Sequence, residues 1–169
     1  MKIYTSYFYQ IRFFEPHMIP LSTAQFDPKW FHDFKGNGYV FKDKRGVYNG
    51  LRADPFVPGK SCENLCRGPE TCQSKDSKSC NFLKKYREQL DQYNFNLILD
   101  RFNNLGNKVI KRDGLKIEPI FVLIFHETPT NPCSERWVVQ DWFRDNGMNV
   151  EEITLKGVKK NGVPKPDIW

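Results

Sequence analysis

The apolar run "IEPIFVLIFHE" (residues 117–127) sets the frame for the rest of the chain. It is rich in β-branched and aromatic residues and does not alternate with polar ones, the pattern of a central strand buried on both faces. Three weaker strands surround it in sequence. "KIYTSYF" (2–8) reads as a short first strand, with its loop beginning near Thr5 and Ser6. "HMIPLST" (17–23) reads as a second, placed at a sheet edge or near its own end by Pro20, which has no N–H to give a ladder. "NVEEITL" (149–155) reads as a last strand.

Helical spacing appears twice. Phe82, Tyr86, Leu90, Tyr93 and Leu97 recur at four, four, three and four residues, which predicts one long helix starting at Cys80 with Gly106 as its stop. Asn131 as cap and Pro132 in the first turn predict a second helix, with Val138, Val139, Trp142 and Phe143 as its buried stripe and Gly147 after its end. "FDPKWFHDF" is a helical turn with Asp27 able to cap and Pro28 at its first position. Residues 35–59 read as a surface loop or weak hairpin. Strands alternating with helices predict an α/β fold, specifically a small Rossmann-like three-layer arrangement with a short, mostly parallel sheet. The expected organisation is one domain over residues 1–155, a cysteine-rich insertion at about 59–81, and a basic tail at 156–169.

The chain's 169 residues suffice for one real core, and a 39% hydrophobic fraction with 15% aromatics suits a globular domain. No run approaches the roughly 18 apolar residues of a membrane span. The N-terminus lacks an apolar core followed by a small-residue cleavage site, so a cytoplasmic protein is expected. Net charge is +6 and the pI is near 9.0, compatible with an anionic partner such as a nucleotide or nucleic acid or with ordinary mild basicity.

In a parallel sheet ligands gather at the carboxyl ends of the strands, and the loop after Glu127 lies at that end. With Asn131 as cap, Cys133 is the second helical residue and Ser134 the third. Unpaired amides and the helix dipole there favour a thiolate or a bound anion. Arg136 adds a positive fork, and Glu127 a carboxylate able to act as acid or base. Glu127, Cys133 and Arg136 are therefore the candidate catalytic residues. Thr5, Ser6, Tyr7, Ser22, Thr23 and Ser134 are candidate ligand contacts, and Tyr7, Phe8 or Trp30 could stack on a base. The structural alternative gives Cys133 as a small buried hydrophobe, Glu135 as helix-start electrostatics and Arg136 as a partner of Glu127. His126 reads as a core or pocket-wall residue. There is no P-loop, no Gly-rich nucleotide fingerprint, and no phosphatase loop, since Cys133 and Arg136 are only three apart.

Cys62, Cys66, Cys72 and Cys80 fall in "SCENLCRGPETCQSKDSKSC", a stretch too polar to order itself. Four thiolates on one metal would supply that ordering energy. Zinc is the leading expectation, an iron–sulfur cluster the alternative, and disulfides or thiols the remainder.

The block "IFHETPTNPCSERWVVQDWFRDNGMNVEEI", with "KIYTSYF" and "MIPLST", resembles the bacterial and phage proteins of domain-of-unknown-function family 488. Glu127 matches the family's strand-end Glu, and Cys133 and Arg136 match the Cys and Arg that open its last helix. Ser134 and Glu135 stand where many members have a single His. The segment from Gly50 to Asp91 is similar to the cysteine-bearing insertion of one branch. The resemblance runs from Met1 to about Leu155 and implies a small α/β fold without an established reaction. Three functions are then expected in turn: an enzyme or sensor acting on a nucleotide, base or nucleic-acid end, with hydrolase- or transferase-type chemistry; a non-catalytic nucleic-acid binder using the basic tail; and a regulatory protein that sequesters a nucleotide.

Overall fold

The computed structural model describes residues 1–32, 41–66 and 77–155. Its centre is a four-stranded, all-parallel sheet in the order β2, β5, β1, β6. The strands are β1 (Lys2–Tyr7), β2 (Met18–Ser22), β5 (Ile120–Phe125) and β6 (Glu151–Glu152). A two-residue antiparallel hairpin, β3 (Phe41–Lys42) with β4 (Tyr48–Asn49), forms a second small sheet packed against β2. The α/β expectation holds. As its composition predicts, β5 is buried on both faces, paired to β1 from Lys2 opposite Ile120 to Tyr7 opposite Phe125, and to β2 on its other side. Pro20 sits in β2, an edge strand.

Alternation along β5 divides the core. Phe121, Leu123 and Phe125 face helices α1 (Asn81–Leu90), α2 (Phe95–Asp113) and α3 (Glu135–Asp145), packing with Tyr86, Phe102, Val139 and Phe143. Val122 and Ile124 face the other way, toward Phe8 and Ile11 of a 3-10 helix (Phe8–Phe13), Phe14 and Phe31. Each fully buried aliphatic or aromatic side chain here contributes roughly 1.5–3 kcal/mol.

Several boundaries differ from the sequence reading, each for a local reason. The single long helix is two: the chain turns after Leu90, and the Asn94 side chain accepts from the Leu97 amide to start α2. Tyr93 and Leu97 consequently fall out of the stripe and are exposed. Gly106 does not stop a helix. It lies inside α2, where a Cβ would come within 3.4 Å of Phe121 Cζ, so its role is close approach of helix to sheet. The stop is Gly114, in the left-handed region at φ +61°. Thr5 and Ser6 do not begin a loop, because β1 continues through Tyr7. The turn after Pro28 is a 3-10 helix (Lys29–Phe31) with no side-chain cap. The hairpin region is no surface loop at Val47 and Tyr48, which are fully buried. The tail at 156–169 lies outside the described residues.

Candidate functional site

Beyond the carboxyl ends of β2 and β5 lies a cavity of about 710 Å³. Three chain segments build it. The turn after β2 contributes Thr23, Gln25 and Phe26; the segment after β5 contributes His126, Glu127, Asn131, Cys133 and Glu135; the cysteine-bearing stretch and α1 contribute Pro58, Cys66, Cys80 and Phe82.

The first wall is held by a buried ionic knot. Asp27, whose side chain is only 1% exposed, accepts from Ser22 Oγ and from Arg52 Nη1 (2.6 Å), and its other contact is His32 Nε2 at 2.7 Å. Arg52 also donates to the Ala24 carbonyl at 3.0 Å, and the Ala24 amide donates to Ser22 Oγ at 3.1 Å. Ser22 is thus spent on shaping the turn, while Thr23 reaches the cavity. The third wall hangs on α1: Gln89 accepts from the Gly59 amide (2.8 Å) and donates to the Val57 carbonyl (2.8 Å), and Tyr86 donates to the Phe56 carbonyl.

The second wall departs most from expectation. Asn131 does not cap α3. Its side-chain oxygen accepts from the Cys133 amide at 2.9 Å in a tight turn, and Ser134 is the cap. Cys133 therefore precedes the helix and is half-buried at the cavity wall, and the first-turn argument for a thiolate no longer applies to it. Arg136 points inward and is fully buried. Its guanidinium donates to Glu152, to the Glu127 carbonyl and to Ser134 Oγ (3.3 Å), and lies 5.5 Å from the Phe125 ring. Glu152 in turn accepts from Thr5 Oγ1 at 2.7 Å, and Gln140 donates to Thr5 at 2.6 Å. Ser6 donates to the Ile153 carbonyl. Thr5, Ser6, Tyr7 and Arg136 thus form the support behind the cavity, not its lining. Tyr7 and Phe8 are core residues, and the phenylalanines that line the cavity are Phe26, Phe82 and Phe125.

Glu127 and Glu135 face each other there. Burial, the negative charge of Glu127 and a hydrogen bond with it push the Glu135 carboxyl from its ordinary 4.5 up to about 8. Glu135 is the residue that sequence reasoning missed. A glutamate in a helix's first turn is commonplace, and nothing in its spacing showed that Glu127 would be opposite. Ser134 Oγ, 3.4 Å from Glu127 Oε2, ties the pair to the Arg136 network.

No family model, curated protein or solved structure matches the chain. The site is therefore interpreted from its own chemistry. Among the described residues no three His, Cys, Asp or Glu side chains are placed to hold a metal ion. Cys66 and Cys80 share the cavity wall, while Cys62 Sγ is turned to Gln89 Oε1 at 3.9 Å, and burial pushes its thiol pKa up. Cys72 lies outside the described residues. Three of the four cysteines of the expected clasp, Cys62, Cys66 and Cys80, are described, and they do not converge on one point among the described residues. No described helix is long and apolar enough to cross a membrane.

Proposed function

We propose that the cavity binds a nucleobase or nucleotide and that Glu127 and Glu135 act on it as an acid–base couple, in hydrolase- or transferase-type chemistry. The observation that carries this reading is that Glu127 and Glu135 line one open cavity against each other, where burial and the neighbouring charge raise the Glu135 carboxyl to about 8. Two carboxyls in contact do not readily carry two charges, so they share a proton. Glu135 can give that proton to a leaving nitrogen or oxygen, while Glu127 takes one from an attacking water or hydroxyl. Transfer between the two restores the starting state. Phe26 and Phe82 supply apolar faces for a flat ring.

Incubating the protein with a panel of nucleosides and nucleotides, followed by mass analysis, tests this. Product is expected from the unaltered chain, with loss of about a hundredfold or more in Glu127→Gln and Glu135→Gln while both still melt cooperatively. Full turnover in both variants removes the mechanism. Tight binding with the ligand recovered unchanged supports the sequestering protein instead.

Two further readings belong to this proposal. Membership of family 488 rests on the match at Glu127, Cys133 and Arg136, and the Rossmann-like description on the alternation of strands and helices around a parallel sheet. Zinc, or alternatively an iron–sulfur cluster, on Cys62, Cys66, Cys72 and Cys80 requires Cys62 to leave Gln89. Elemental analysis of anaerobically purified protein decides it: about one zinc or four irons per chain supports a metal clasp, and neither metal removes it.

A further inference from the structure

We infer that the cavity recognises its ligand through a planar edge with one acceptor and two adjacent N–H donors, the edge that guanine presents, and not through phosphate. This rests on the base-binding reading above and makes it specific.

The argument is a count of which polar groups on the lining are already spent. Thr23 Oγ1 donates its proton to the Ile124 carbonyl at 2.8 Å. His126 Nε2 lies 2.7 Å from the Phe26 carbonyl, which can only accept, so that nitrogen carries the proton. Gln25 Nε2 donates to the Pro58 carbonyl at 3.0 Å. Toward a guest, Thr23 and His126 retain acceptor capacity, and Gln25 retains its amide oxygen and one N–H. The pair of Glu127 and Glu135 holds its proton internally and presents carboxyl oxygens outward, again acceptors. Asn131 is the fullest donor. Its oxygen is taken by the Cys133 amide, which leaves its NH₂ as a donor.

An amide donor on the same cavity lining as a pair of carboxyl acceptors complements a carbonyl next to N–H and NH₂, which is guanine's O6, N1 and N2. Phosphate fits poorly. The described lining carries no Lys or Arg, and Arg136 is buried behind the wall with its donors committed to Glu152, the Glu127 carbonyl and Ser134. Among the described residues of the lining, a phosphate would meet carboxylates with no cation between them. The cavity, at about 710 Å³, lies within the range usual for small-molecule sites, and Phe26 is 83% exposed at its side, open to stacking.

Calorimetric titration of the full chain at pH 7 with guanosine, inosine, adenosine and inorganic phosphate tests the inference. Inosine lacks only the exocyclic amine. Guanosine is expected to bind at least about tenfold more tightly than inosine or adenosine, because losing one of the paired donors leaves a desolvated acceptor unmatched. Glu127→Gln should erase that preference while retaining a cooperative thermal transition, and phosphate should neither bind nor compete. Equal binding of all three nucleosides overturns the donor-edge rule and leaves base binding standing; no binding of any nucleoside removes both. Phosphate competing with guanosine, or benzamidine and N-acetylarginine amide displacing it at lower concentration than inosine does, overturns the guanine assignment.

Discussion

Two carboxyl groups of this chain have been moved in opposite directions, and the contrast separates fold from function. Asp113, at the end of α2, accepts from the Tyr48 hydroxyl and pairs with Lys42 Nζ at 2.9 Å and Arg112 Nε at 3.0 Å. Partial burial raises its pKa, but these three donors more than offset it and hold the carboxyl at about 2. Glu135 has burial too, but its neighbour is another carboxylate, and its pKa rises to about 8. Asp113 has every interaction a carboxylate wants, and its cluster ties the β3/β4 hairpin to α2. Glu135 is kept in a state it would not choose in water, next to an open cavity. Groups held that way are typical of sites that do chemistry, although structural networks can do the same.

The largest effect that would sharpen this comparison is on the support behind Glu127. Arg136→Met leaves the partly buried Glu152 without its cation and the Glu127 carbonyl and Ser134 hydroxyl without their donor, and a loss of about 3 kcal/mol in urea denaturation is expected. A loss below about 1 kcal/mol would mean that the guanidinium is not committed to the fold and is free for a ligand. Asp113→Asn should cost only about 1 kcal/mol, since its partners are partly solvated. Glu135→Gln should have the opposite sign at alkaline pH. A carboxyl whose folded pKa is raised contributes stability that is complete below about 4.5 and is lost as pH rises through about 8, so the variant should melt higher than the unaltered protein at pH 8.5 and little differently at pH 4.5. Asp113 works in the reverse sense: its contribution is present above 3.8 and is lost as pH falls toward 2. A pH–melting profile of the two variants that lacks this crossed pattern would break the comparison. Cys133→Ser should change stability by less than about 0.5 kcal/mol, because the residue lies before the helix in a half-buried turn.

The sheet was legible in the sequence where one signal dominated. The continuous apolar run of β5 could belong only to a strand covered on both faces, and Pro20 placed β2 at an edge. The helices were legible in type but not in boundary. The four-residue recurrence ran on through residues 91–94, and only Asn94 turning its side chain onto the Leu97 amide shows the break. In the same way Asn131 and Ser134 both had the chemistry of a cap, and the turn that Asn131 makes with Cys133 decided between them. The site was half legible. Glu127, Thr23 and Cys133 reach the cavity as their place near strand ends suggested. Arg136 was read either as a fork toward a ligand or as a structural partner of Glu127; it turns inward, to the Glu127 carbonyl and to Glu152, 16 residues on. Phe26, Cys80 and Phe82 could not be found by spacing, since tertiary contact alone brings them to the loop after β5.

The strand order carries a consequence for how the chain is made. β1 and β2 are finished within the first 22 residues, but both take β5 as their parallel partner, and β5 does not begin until Ile120. During synthesis the two early strands therefore wait, with apolar faces uncovered, while most of the chain emerges. Closing so long a loop before any reward from pairing makes assembly slow and leaves the nascent chain open to wrong partners. A fragment ending before Ile120 should accumulate in aggregates, and the full chain should acquire its sheet late, in one step, once the run "IFVLIF" has cleared the ribosome.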